Sequence, residues 1–304
     1  MAVHDFWQGR GLALLCAVVA TGLGLIYLDL AGAPVQMLTM NLAALVAGLI
    51  IVGSFLGREP ISRPAAGILA VLIGAALLVV ALVGDEASGV RRWVAVGPLV
   101  LQPSLILLPL LIVGFARFRT MLTAGGVMLA AIAVASQPDR AMAGALVASL
   151  AAVSLVARDR MSVACLVVAT AGFAATLMTP DVVPPTLFVD RVFRTAFSTN
   201  ALAGLAVWTG AVVLLLPGAV GTVLGRTHRA AFAGFGACWA AIVVAAILGD
   251  YPTPLVGYSG SAIFGYILAT LGLPRIWSPS PALQAPAPPS TARDRPDAHG
   301  LAAS

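Results

Sequence analysis

The chain has 304 residues, 60% hydrophobic and only 10% charged, with a formal net charge of +5 and a mean hydropathy of +1.02. A soluble domain carries roughly a quarter charged residues, so this composition excludes a water-soluble globular protein and predicts an integral membrane protein. All 17 basic residues are arginine; that uniformity reads as coding bias, and nothing in it points to nucleic acid.

In chain order, apolar runs bounded by charge, proline or glycine fall at 11–28, 36–56, 65–83, 103–116, 119–136, 141–157, 161–178, 197–217, 229–248 and 255–274. A helix needs about 20 mainly apolar residues to cross a ~30 Å hydrocarbon core, so about ten transmembrane helices are predicted. Barrel strands would alternate apolar and polar residues. These runs do not alternate, and the expected fold is an all-α membrane bundle. The first run is too long for a signal-peptide core and opens a multi-span array, so it reads as a retained span. Residues 1–278 form the predicted polytopic domain. Residues 279–304 are rich in Pro, Ala and Ser and read as a disordered cytoplasmic tail. Cys16, Cys165 and Cys238 lie inside apolar runs, where packing is their expected role. His4, His228 and His299 are scattered, so no metal site is predicted.

Cytoplasmic loops carry the arginine excess. With the N-terminus inside, the inner loops hold Arg10, Arg58, Arg63, Arg117, Arg119, Arg158, Arg160, Arg226, Arg229 and Arg275. The outer loops hold Arg91, Arg92, Arg140, Arg191 and Arg194. The predicted orientation is therefore N-in, and ten spans return the C-terminus to the same side.

The outer loops also concentrate acid: Asp85, Glu86, Asp139, Asp181, Asp190 and Asp250. Arginines that persist against the positive-inside tendency invite a functional reading. Four polar outer patches suggest a site for an anionic group at the membrane surface, such as a lipid-linked phosphate. Arginine forks bind phosphate oxygens bidentately, and a carboxylate nearby can act as general base.

The wording of these loops is specific. GVRRWVAVGPLVLQPS, Gly89 to Ser104, resembles the signature of the SEDS family (FtsW, RodA and SpoVE), approximately G-A-R-R-W-I-x-L-G-P-x-x-F-Q-P-S-E-x-x-K. Gly89, Arg91, Arg92, Trp93, Gly97, Pro98, Gln102, Pro103 and Ser104 fall in register. SQPDRAMAG, from Ser136, is similar to the family's Q-P-D-L-G-T-A through Gln137, Pro138 and Asp139, and departs at Arg140. The last outer loop resembles P-x-x-G-x-x-L-P-F-x-S-Y-G-G-S through Pro254, Tyr258, Gly260 and Ser261. FVDRVFRTAF is the best match to H-T-D-F-I-F-A, with Asp190 at the aspartate and Phe193 at an aromatic.

The resemblance implies polymerisation of lipid II on the outer face of the bacterial plasma membrane, in cell division or cell-shape maintenance, with a class B penicillin-binding protein as partner. It implies Asp190 as the catalytic carboxylate. Arg91, Arg92, Trp93, Gln102, Ser104, Gln137, Asp139, Tyr258 and Ser261 are the implied substrate-binding residues. Arginines, or a divalent cation, would stabilise charge on the departing pyrophosphate. The chain also departs from the family. Leu105 and Leu108 stand where the signature has Glu and Lys, the Gly-rich part of the large outer loop is missing, and Ser198 and Thr199 occupy the region of an acidic pair. Two further readings follow: a catalytically impaired relative that binds a precursor or partner, and a transporter of a lipid-linked or small polar substrate. Transporters carry ionisable groups near mid-membrane, and mid-span charge is nearly absent here.

Overall fold

The computed structural model describes residues 10–55, 61–87, 90–97, 99–179, 183–225 and 228–274. The predicted tail, His4, His299, Arg58, Gly89, Pro98, Asp181, Arg226 and Arg275 lie outside the described residues, as does the side chain of Glu86. Among the described residues eleven α-helices run in order: α1 Leu12–Leu30, α2 Val35–Ser54, α3 Arg63–Val83, α4 Pro103–Phe118, α5 Met121–Ser136, α6 Arg140–Ala157, α7 Arg160–Leu177, α8 Val192–Thr199, α9 Ala201–Leu224, α10 Arg229–Leu248 and α11 Gly260–Ala269. A 3₁₀ turn, Thr270–Gly272, extends α11.

Seven of these helices (α1, α2, α3, α6, α7, α9 and α10) are long and apolar enough to cross a membrane by length and composition; α4, α5 and Gly260–Gly272 are shorter apolar helices. Each predicted run overlaps one of the ten, and the chain is a multi-pass α-helical membrane protein. Only helices and closed barrels satisfy every backbone polar group within lipid, and polar side chains mark where these helices begin. Asp159 accepts from Ser162 N at 2.9 Å, Asn200 from Ala203 N at 2.8 Å, and Asp139 from Met142 N at 3.2 Å. Each supplies an acceptor for a first-turn N–H that has no partner within the helix.

The all-α expectation holds for the membrane part, and three short strands are added outside it. β1 (Asp85–Ala87), β2 (Val90–Val96) and β3 (Leu99–Leu101) form an antiparallel meander in that order. Strand periodicity sends successive side chains to opposite faces. Val90 and Arg92 are consequently buried, while Arg91 between them is exposed. Asp85 Oδ2 ties the meander down by accepting from Ala95 N at 2.5 Å.

Helix α4 lies against α3, α5, α6, α10 and α11, while α1 packs on α9 and α3 on α5. An aromatic cluster fills the centre, with Tyr266 of α11 5.0 Å from both Phe235 and Trp239 of α10 between ring centroids. The Tyr266 hydroxyl donates to the Leu214 carbonyl at 2.8 Å. Small residues let membrane helices approach closely, and Gly265 shows how closely. A Cβ there would fall 2.1 Å from the Leu105 carbonyl oxygen. Because backbone cannot yield as a side chain can, Gly265→Val should cost about 3 kcal/mol, the upper end of overpacking effects. Thermal unfolding in detergent, followed by fluorescence-detected size exclusion, checks this.

The loops separate by chemistry. At one end Arg119 pairs with Asp159 at 3.2 Å, and Arg10 Nε donates to the Leu273 carbonyl at 3.2 Å. The other end gathers the β-meander, the 137–140 turn and the segments around Asp190 and Asp250, as the loop-charge assignment predicts.

Candidate functional site

Two connected arrangements occupy the outer end. The first is a buried polar network. Arg92 and Asp139 are 4% and 0% exposed, with Arg92 Nη1 3.6 Å from Asp139 Oδ1. Gln102 Nε2 donates to Asp139 Oδ2 at 3.1 Å and to Ser104 Oγ at 3.3 Å, and Ser104 Oγ donates to Asp139 Oδ2 at 3.4 Å. Gln102 N donates to Ser261 Oγ at 3.0 Å, joining the start of α4 to the start of α11. The Arg92 guanidinium lies 4.7 Å from the Trp93 ring centroid, a cation–π distance. Six of the expected binding residues thus meet in one place: Arg92, Trp93, Gln102, Ser104, Asp139 and Ser261. The remaining ones are dispersed around it. Gln137 is buried and donates to the Leu77 carbonyl at 3.2 Å. Arg91 is exposed and donates to the Leu82 carbonyl at 2.9 Å. Tyr258 engages through its backbone, its N–H donating to the Phe188 carbonyl at 2.8 Å.

The second arrangement is a cavity of about 430 Å³ between the outer end of α1 and the 185–199 segment. Asp190 and Arg191 line it, with Tyr27, Thr195, Ser198 and Thr199. The chain around Asp190 is held by backbone: it bridges Pro252, and Thr253 N donates to the Val189 carbonyl at 2.9 Å. Asp190 Oδ2 accepts from Thr186 N at 2.7 Å. Its Oδ1 is buried and has no hydrogen-bond partner among the described residues. Burial raises the Asp190 carboxyl above the ordinary carboxylate range and Asp250 adds to this, against the Thr186 N–H, Arg92 and Arg191, which favour the anion. The buried network and the cavity therefore share a field, through Arg92.

Asp250 shows the opposite behaviour. Arg191 bonds it through Nε at 2.6 Å and Nη2 at 2.5 Å, and Arg194 Nη2 reaches it at 2.9 Å. The bond from Arg191, reinforced by the charges of both arginines, lowers its pKa below the ordinary value. No group of three or more His, Cys, Asp or Glu able to hold a metal ion occurs among the described residues. The carboxylate acting on Asp190 is already taken by two guanidinium groups. This donor set does not fit a divalent cation.

The arrangement of helices has solved counterparts. The crystal structure of the rod shape determining protein RodA of Thermus thermophilus matches with a TM-score of 0.59 and 22% identity, over 86% of this chain and 93% of that one. A crystal structure of an aspartate-to-alanine mutant of the same protein matches with a TM-score of 0.56 and 22% identity, over 86% and 94%. The chain has the RodA fold. No protein-family model matches it, and no curated protein matches its sequence.

Within this RodA fold, two features of the outer end explain what the motifs alone leave open. Leu105 and Leu108, where the SEDS signature has Glu and Lys, are 3% and 0% exposed and belong to the apolar core. Replacing a buried ion pair with packed apolar residues is often neutral or stabilising, so the start of α4 is intact without them. Asn41 of α2 went unremarked in the sequence, although a lone amide in an apolar run signals a buried partner. It is fully buried; Nδ2 donates to the Gly257 carbonyl at 2.8 Å, and Oδ1 accepts from Ser259 N at 3.2 Å. Those bonds hold the loop on which Asp190 rests. Asn41→Leu leaves two buried backbone groups unpaired, each costing about 1–3 kcal/mol. Lower melting temperature and faster amide exchange at Gly257–Ser259 are the expected results.

Proposed function

We propose that the chain is a SEDS-type peptidoglycan glycosyltransferase that polymerises lipid II at the outer face of the bacterial plasma membrane, in cell-shape maintenance or division. The observation that carries this reading is Asp190: a half-buried carboxylate on the wall of an outer cavity, with one oxygen fixed by a backbone N–H and the other without a partner among the described residues. An acceptor-sugar hydroxyl attacks the anomeric carbon of the donor. The new carbon–oxygen bond forms as the bond to the lipid pyrophosphate breaks, and the hydroxyl proton passes to Asp190. A carboxylate with a raised pKa is the stronger base. A class B penicillin-binding protein is the proposed partner.

A second reading is favoured by Leu105 and Leu108. Two charged members of the SEDS signature are absent and their places are packed shut, as a relative that only binds the precursor or a partner would tolerate. Purified protein incubated with labelled lipid II, with and without a class B penicillin-binding protein, separates the two. Glycan polymer from the parent and none from Asp190→Ala is the expected result. No polymer even with the partner present, or equal polymer from the variant, sinks the catalytic reading.

A further inference from the structure

Arg191, Arg194 and Asp250 form a cluster in which two guanidinium groups share one carboxylate, with Asp190 beside Arg191 on the cavity wall. The three side chains are 48%, 45% and 31% exposed, and exposed ion pairs contribute little to stability. Bracing the fold is therefore a poor account of them. Arg191 follows Asp190 in the chain and lines the same cavity; Arg194 is joined to it through Asp250 and also donates to the Gly249 carbonyl at 2.6 Å. Leu187, which lines the cavity, is 74% exposed, and Phe197 of the same segment is 53% exposed, an apolar rim suited to a site at the level of a lipid headgroup. The H-T-D-F-I-F-A pattern has Phe and Ala where Arg191 and Arg194 stand. The arginines of the long outer loop are committed elsewhere, Arg92 to Asp139 and Arg91 to the Leu82 carbonyl.

Given the reading of Asp190 as base toward a lipid-linked donor, on which this rests, the geometry points to Arg191 and Arg194 as the clamp for the donor's pyrophosphate, with Asp250 holding their place until it binds. A carboxylate presents two oxygens to the Arg191 fork, as a phosphate does. The pyrophosphate carries more negative charge than one carboxylate, so it displaces Asp250 toward solvent. A clamp adjoining the base leaves the departing group stabilised beside the group that takes the proton.

Binding is measured by microscale thermophoresis on the full chain in phosphatidylcholine nanodiscs, with undecaprenyl pyrophosphate, undecaprenol and inorganic pyrophosphate as probes. Undecaprenyl pyrophosphate should bind more tightly than undecaprenol, and inorganic pyrophosphate should compete with it. Arg191→Gln and Arg194→Gln should each weaken binding on the order of tenfold, the loss of one charge-assisted contact. Asp250→Asn should tighten it, because both forks are released. That gain cannot arise from unfolding, and a purely structural cluster gives the opposite sign. Unchanged affinity in the double arginine variant, or weaker binding by Asp250→Asn, overturns the clamp. Affinity is read without turnover, so the two ideas fail separately. A chain that binds as described but makes no polymer refutes the polymerase and keeps the clamp. One that polymerises lipid II but binds undecaprenyl pyrophosphate equally without the arginines does the reverse.

Discussion

Asp190→Asn should slow glycan polymerisation by about 10²–10⁴-fold, the contribution of a positioned general base, while the folded protein becomes no less stable. The amide oxygen can still accept from Thr186 N–H, so the segment keeps its anchor, but the amide cannot take a proton. The stability expectation follows from the direction of the Asp190 shift. Its folded pKa is raised, chiefly by burial, so the ionised carboxylate opposes folding. That cost is absent below the unfolded-state pKa of about 3.9 and grows as pH rises through the higher folded value. The variant removes the cost, so its advantage in melting temperature appears at neutral pH and vanishes in acid. Activity of the parent should fall on its acid side at a pH above the ordinary carboxylate range. A variant that loses activity together with its fold would mean that Asp190 is structural.

Asp139→Ala should destabilise the protein by about 3–5 kcal/mol, the cost of leaving one partner of a buried ion pair uncompensated. Four interactions converge on this carboxylate: Arg92 at 3.6 Å, Gln102 at 3.1 Å, Ser104 at 3.4 Å and the first-turn N–H of Met142 at 3.2 Å. Asp139→Asn keeps an acceptor for the cap and loses the charge, so it should fall between parent and alanine variant. Replacing both ions, Arg92→Met with Asp139→Leu, should cost less than Asp139→Ala alone, since no unpaired charge is left behind. Melting temperatures of the four proteins in one detergent give the order directly. If the double variant is the least stable, the pair holds the outer loop by attraction rather than by mutual compensation.

The bundle was legible because membrane helices announce themselves through the length and purity of their apolar runs. The run placed at 197–217 shows the limit of that signal. In the structure Thr199 closes the short helix α8, Asn200 is extended and caps α9, and α9 continues to Leu224. Ser-Thr-Asn before an apolar run is a helix-start signal, but hydropathy averaged across it. The β-meander was hidden for another reason: its seven-residue strand mixes arginines with apolar residues, and its pairing depends on contacts between segments that no local pattern contains.

The site was legible in part. Arg92, Gln102, Ser104, Asp139 and Ser261 were named from motif wording, and the fold brings them together. Their burial and mutual bonding were not readable, because spacing along a chain says nothing about which polar groups satisfy one another. Asp190 was found through a short match, and its desolvation depends on residues distant in sequence. Arg191, Arg194 and Asp250 appeared only as scattered outer charges; their meeting required Gly249 and Asp250 to fold back over 50 residues later beside α8.

Thr253 N reaching the Val189 carbonyl, Tyr258 N reaching the Phe188 carbonyl, and Thr186 N reaching the Asp190 carboxylate share one property: the groups that place Asp190 belong largely to the main chain. Almost any residue can supply a peptide N–H or carbonyl. The loops flanking Asp190 are thus free to change their side chains generation after generation while the carboxylate stays where it is. Mutational scanning of residues 183–189 should therefore find tolerance at the exposed positions Pro184, Pro185, Thr186 and Leu187, except that proline at Thr186 removes the N–H donor to Asp190, and intolerance at Phe188, which packs against the core with a left-handed backbone.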